Sequence, residues 1–190
     1  MIREADMNVY DFDNTILRGD SSARFFGWCL THYPRMWTDL PGQIVNGLLF
    51  LLKRRPKQAF KQRMFHYFSL VDMDRALHDF WRANLPRIKA WYRQAHRDDD
   101  VVISASPECL IRPACQALGI FTVMGSPVDQ HTGRYSGINC HGEEKVRRFR
   151  AAYPGAVIEN FYSDSHSDDP LAGISQKAWL VKGERLLPWN

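Results

Sequence analysis

The sequence predicts an α/β protein: a Rossmann-like three-layer core built on a parallel sheet, with an inserted all-helical cap subdomain. Short apolar runs at Met7 to Tyr10, Val101 to Ile103, Phe121 to Met124, Val157 to Tyr162 and Ala178 to Val181 end in polar loops, as buried parallel strands do. All but the first fall beyond residue 100. The long block between the first two runs shows helical periodicity and no strand candidate, whereas α/β units usually connect through about 2–6 loop residues. The core is therefore assigned to 1–16 plus 98–190 and the helical cap to 17–97.

Length and composition agree with this division. A chain of 190 residues and 22.1 kDa holds one ordinary domain, or a compact one carrying a smaller insertion. Its 45% hydrophobic and 24% charged residues exclude disordered and fibrous architectures. A formal charge of +4 suits small anions without demanding nucleic acid. Cys29, Cys109, Cys115 and Cys140 form no C-x-x-C pair, so free thiols in a reducing, cytoplasmic compartment are expected. The opening MIREADMNVYDFD lacks the apolar core of a secretory signal. The apolar run IVNGLLFLL at 44–52 is far shorter than the ~20 residues a spanning helix needs, which leaves a buried or interfacial helix.

Within 17–97, apolar stripes mark about four helices: Phe25, Phe26, Cys29 and Leu30; Phe60, Met64 and Phe68; Leu77, Phe80 and Trp81; and Ile88, Trp91, Tyr92 and Ala95. Past the second strand, Ser106 and Pro107 read as an N-cap and first helical position, and Pro113 should kink or shorten that helix. Val146, Phe149 and Tyr153 define a helix from Glu143 that Pro154-Gly155 stops. Gly125 to Gly137 reads as a hairpin or flap.

Chemistry concentrates where strands end. Asp11-Phe12-Asp13-Asn14-Thr15 follows the first strand, at the edge where open α/β sheets bind ligands. With 15 Asp and 5 Thr in the chain, D-x-D-x-T is expected about 0.03 times by chance. Two such carboxylates repel unless a divalent cation or a shared proton relieves them. A second acidic strand end follows Val157 to Tyr162, in Asp164-Ser165-His166-Ser167-Asp168-Asp169-Pro170. Carboxylates from two strand ends make a hard oxygen site suited to Mg²⁺. Ser104 ends the second strand and Lys145 lies in the first turn of the Glu143 helix, both placed to neutralise charge there.

In order, DFDNT, VVIS, the lysine of HGEEK and YSDSHSDDP resemble the four motifs of the haloacid dehalogenase superfamily. The likeness spans nearly the whole chain, and it is greatest to the phosphoserine-phosphatase type, in which a helical cap follows the first motif. The resemblance implies a Mg²⁺-dependent phosphatase with Asp11 as nucleophile and Asp13 as general acid and base. It further implies Mg²⁺ held by Asp11, the Asp13 carbonyl and Asp164, with Asp168 orienting those ligands. Ser104, with Ala105 beside it, and Lys145 would bind the phosphoryl group. Phosphoserine phosphatases of this type place a glutamate soon after the first motif, whereas LRGDSSARFF offers Asp20 as the substrate-reading carboxylate. Ser163 stands where a glycine is frequent.

The expected partner is a small phosphorylated substrate, with no nucleic acid. KRRPKQAFKQR at 53–63, beside the 44–52 run, suggests either a solvated basic cap helix, which is preferred, or a membrane-surface element. The latter resembles superfamily enzymes acting on phosphatidylglycerophosphate. A third alternative is a non-catalytic protein that binds a phospho-ligand. The histidines show no zinc-hydrolase pattern, and His166 reads as a solvent-exposed loop residue. Asp98 to Asp100 read as a solvated loop.

Overall fold

The computed structural model describes residues 7–190, so the first six residues of MIREADMNVYDFD, the stretch read for a secretory signal, lie outside the described residues. Six strands form one sheet in the order β3-β2-β1-β4-β5-β6. They are β1 (Met7–Tyr10), β2 (Val101–Pro107), β3 (Thr122–Ser126), β4 (Ile158–Ser163), β5 (Ser175–Lys182) and β6 (Arg185–Pro188). All neighbouring pairs are parallel except β5 with β6. From β1 the chain moves outward through β2 to β3 and then returns to β4 on the other side of β1. The order therefore reverses between β1 and β4, and a crevice opens at their carboxyl ends.

Alternation along the central strands builds two cores. Val9, Val101, Ile103 and Phe161 face one layer, with Val146 and Phe149 of α7 (Glu143–Ala152) and Leu171 of α8 (Asp169–Ala172). Tyr10 and Val102 face the other, with Leu110, Ile111 and Ala114 of α6 (Glu108–Ala117). This second core continues into the insertion, where Phe25, Phe68, Phe80 and Trp81 join the same cluster.

The insertion holds five α-helices rather than four: α1 (Ser21–His32), α2 (Met36–Leu51), α3 (Lys57–Met64), α4 (Met73–Asn84) and α5 (Ala90–Ala95). The helix α2 runs straight through Pro41, so the apolar run at 44–52 is its C-terminal half. Burial alone would raise the Asp39 carboxyl, but hydrogen bonds from Arg63 and Gln43 outweigh it and hold the group below its ordinary value. That cluster ties α2 to the end of α3.

Three local expectations are corrected. Ser106 does not cap α6: β2 extends to Pro107, Pro107 takes the cap position, and the Ser106 hydroxyl is engaged elsewhere. Asp100 is buried, not solvated, because it accepts hydrogen bonds from Tyr92 Oη at 3.1 Å and from Arg97 N at 3.0 Å. The edge strand β6 had no counterpart in the sequence reading; it returns antiparallel through Gly183, whose φ of 63° suits a tight turn. The flap over 125–137 is a turn closed by the Val128–Tyr135 bridge, with Gly133 pressed against the Phe65 carbonyl where a Cβ would collide.

Asp39→Asn leaves the half-buried Arg63 without its countercharge and should lower stability by about 1–3 kcal/mol in urea unfolding at neutral pH. Because the Asp39 carboxyl is depressed in the folded state, its contribution is complete above the ordinary carboxylate range. It fades as pH falls through the lowered value, so the difference between variant and wild type should shrink on acidification.

Candidate active site

Strand register brings the acidic loops together. Tyr10 pairs with Val102 on one side and Tyr162 on the other, so Ser104 and Asp164 each stand two residues past those partners, level with the Asp11–Asp13 loop. Asp11 N donates to Tyr162 O at 2.9 Å, carrying the β1–β4 pairing one step into that loop. Beyond it the chain turns sharply: Asn14 has φ 56°, and Ile16 N and Leu17 N both donate to Phe12 O.

All eight residues singled out in the sequence, Asp11, Asp13, Asp20, Ser104, Ala105, Lys145, Asp164 and Asp168, line one cavity of about 570 Å³. At its floor Lys145 is 2% exposed. Its Nζ donates to Asp11 Oδ1 and to Asp168 Oδ2, each at 2.8 Å. Burial alone would lower the Lys145 pKa, but Asp11 and Asp168 outweigh it and hold the ammonium firmly charged. Ser163 Oγ donates to Asp168 Oδ2 at 2.8 Å, so the small side chain at 163 helps fix that carboxylate.

Asp13 is held differently. Ser21 N, at the start of α1, donates to its Oδ1 at 2.7 Å, and Ser106 Oγ donates to its Oδ2. Ser21 Oγ in turn donates to Ser106 Oγ at 3.2 Å. Burial, then repulsion from Asp20, outweighs these bonds and pushes Asp13 up to about 7. Burial likewise raises Asp11, against the pull of Lys145 and with repulsion from Asp168 and Asp164. Asp164 is raised too, by burial foremost. Asp20 caps α1 through Ala23 N at 2.7 Å while facing the cavity. Ser104 Oγ accepts from Ser106 N at 3.2 Å.

Among the described residues no three His, Cys, Asp or Glu side chains converge as a complete metal cage. A Mg²⁺ ion does not need one, since it is commonly bound by one or two carboxylates with waters and a substrate phosphate. The donor set fits such an ion. Asp11 and Asp164 face one cavity and repel, and Asp168 Oδ1 is buried without a hydrogen-bond partner among the described residues.

Sequence reasoning missed Ser106, Ser21 and Lys89. Local chemistry makes Ser106 read as a cap. Lys89, 3% exposed, donates its Nζ to the Asn14 carbonyl, and its backbone N donates to Ile16 O at 2.8 Å. In RIKAW it carries no signal that separates it from a surface lysine. His166 lies outside the cavity lining, exposed and paired with Asp169 at 3.1 Å, as expected.

A doubly wound sheet with carboxylates gathered at its switch point defines the class: α/β proteins that bind ligands beyond their strand ends. Residues 9–173 match the model for haloacid dehalogenase-like hydrolases, and the chain belongs to that family. It is 31% identical over 105 residues to a histidinol-phosphatase of Neisseria meningitidis serogroup C, a match covering 46% of this chain and only 47% of that relative. A protein of unknown function from Bordetella pertussis Tohama I shares its fold with a TM-score of 0.73 at 17% identity, over 90% of this chain and 87% of the other. A phosphoserine phosphohydrolase-like protein from Francisella tularensis gives 0.61 at 14% identity, covering 92% and 86%.

Lys145→Met removes the cation that Asp11 and Asp168 share and leaves two buried carboxylates without it. A loss of about 3–5 kcal/mol is expected in chemical unfolding near neutral pH. Asp168→Asn, which keeps a hydrogen-bonding group beside Lys145, should cost less.

Proposed function

We propose that this chain is a Mg²⁺-dependent phosphomonoester hydrolase acting through an aspartyl-phosphate, with a small phosphorylated metabolite as substrate and 17–97 as its cap. The observation that carries the reading is the convergence of Asp11, Asp13, Ser104, Lys145 and Asp164 on one cavity. A protein that merely bound a phospho-ligand would have no use for a second carboxylate held at the proton-transfer position.

A carboxylate oxygen of Asp11 attacks phosphorus in line with the leaving oxygen, forming the acyl-phosphate bond as the ester P–O bond breaks. Asp13, protonated, gives its proton to the departing alkoxide. In the second half a water attacks the same phosphorus, Asp13 takes its proton, and inorganic phosphate leaves as the Asp11 carboxylate is restored. The Ser21 and Ser106 bonds aim Asp13, while burial keeps its proton available near neutral pH. Lys145 balances charge on the phosphoryl oxygens and on Asp11, and Asp168 holds that ammonium in place. Ser104 and Ala105 line the same cavity, where they would border those oxygens. Asp11, the Asp13 carbonyl and Asp164 would hold Mg²⁺, which when bound would neutralise charge between nucleophile and phosphate.

Assayed with p-nitrophenyl phosphate, Asp11→Asn should abolish turnover, and near-wild-type activity would remove it as nucleophile. Asp13→Asn should lower kcat by about 10²–10⁴-fold. Chelation with EDTA should silence the enzyme and added Mg²⁺ should restore it; full activity in EDTA would refute the metal assignment.

A further inference from the structure

The helix α2 is amphipathic in the inverted sense. Its inward side carries Asp39, Gln43 and Asn46, all engaged: Asn46 Nδ2 donates to Phe60 O at 3.0 Å, Arg55 Nη1 donates to Asn46 Oδ1 at 2.6 Å, and Gln43 Nε2 donates to Asp39 Oδ2 at 2.7 Å. Its outward side carries Trp37, Ile44, Val45, Leu48 and Leu51 at helical spacing, 54–78% exposed, with Leu52 at 56% just beyond. A surface helix of a globular protein presents the opposite arrangement. Apolar residues scattered singly on a surface need no explanation, but a continuous stripe marks an interaction site.

The charge around the stripe names the partner. Exposed Arg35 precedes the helix, exposed Lys53 and Arg54 follow it, and no Asp or Glu occurs from Leu40 to Val71. We propose that the outward face of α2 docks in the interface of an anionic lipid bilayer, its apolar side chains among the acyl chains and Arg35, Lys53 and Arg54 against the headgroups. A second copy of the chain suits the face less well. Antiparallel pairing would set Arg35 against Lys53 and Arg54, and parallel pairing would set each basic end against itself. At 16 residues α2 is about 24 Å long, below the ~30 Å hydrocarbon thickness. No helix among the described residues is long and apolar enough to cross a membrane, so α2 lies in the interface plane. The same helix supplies Gln43 and Gly47 to the cavity wall, which sets the cavity beside the bilayer surface. The 44–63 pattern alone favoured a solvated basic helix; the outward orientation of its apolar side reverses that preference.

The test is cosedimentation of the full chain with vesicles of one part phosphatidylserine to two parts phosphatidylcholine, without substrate, so that it stands apart from the hydrolase reading. Wild type should bind these vesicles, should bind pure phosphatidylcholine at least tenfold more weakly, and should release as salt rises. The triple variant Ile44→Ser, Leu48→Ser, Leu51→Ser, checked by circular dichroism for an intact fold, should lose binding. Lys53→Gln with Arg54→Gln should weaken it by roughly tenfold or more, which keeps the test decisive if the triple variant misfolds. Absence of binding at low salt would overturn the proposal. So would undiminished binding by the variants, or a dimer in analytical ultracentrifugation that the triple variant dissolves while vesicles remain unbound.

Discussion

One buried ammonium underlies the arrangement of the crevice. Strand order brings acidic loops from β1 and β4 to the same place, and their carboxylates repel in an environment that solvates them poorly. Lys145, reaching up from the first turn of α7, bonds Asp11 and Asp168 at once and makes that gathering tolerable. Ser163 then fixes Asp168, so the position of the Asp11 carboxylate is set by residues from β1, α7 and the loop after β4 together. None of these elements can shift without disturbing the others.

The two carboxylates of the first loop, only two residues apart, are set in different surroundings. Asp11 faces a cation, whereas Asp13 faces a backbone N–H and a serine hydroxyl. Lys145 opposes the rise that burial imposes on Asp11, whereas among the described residues no cation is bonded to Asp13, which is pushed up to about 7. That difference comes from the neighbours the fold supplies, Lys145 for Asp11 and Ser21 with Ser106 for Asp13, rather than from any difference between the residues themselves.

Much of the fold was legible because buried parallel strands are short apolar runs and because the acidic loops begin where those runs stop. Met7 to Tyr10 matches β1 residue for residue, and Val101 to Ile103 locates β2 while understating its length. The edge strand β6 escaped because RLLP is too short and exposed to show a burial pattern. Ser106 reads as a cap because Ser-Pro is a good helix start by local chemistry, whereas its tertiary neighbours Asp13 and Ser21 give its hydroxyl another use. The apolar stripe of α2 was visible, but a periodic pattern says only that one side of a helix differs from the other. Which side meets the protein is decided by partners such as Arg63, Arg55 and the Phe60 carbonyl, all outside the stripe itself.

The neck of the insertion is stitched to the loop it grows from. Arg18 N donates to Arg87 O, Lys89 N donates to Ile16 O, and the Lys89 ammonium grips the Asn14 carbonyl. The departing and returning strands of the chain are thereby clamped together a few residues from Asp11 and Asp13. Exchanges at the far end, around α2 and α3, change the cavity wall directly through Gln43, Gly47, Phe60 and Met64, while this clamp holds the loop of the carboxylates in place. Such a layout lets recognition diversify by recombination of outer helices while the chemistry beneath is inherited intact.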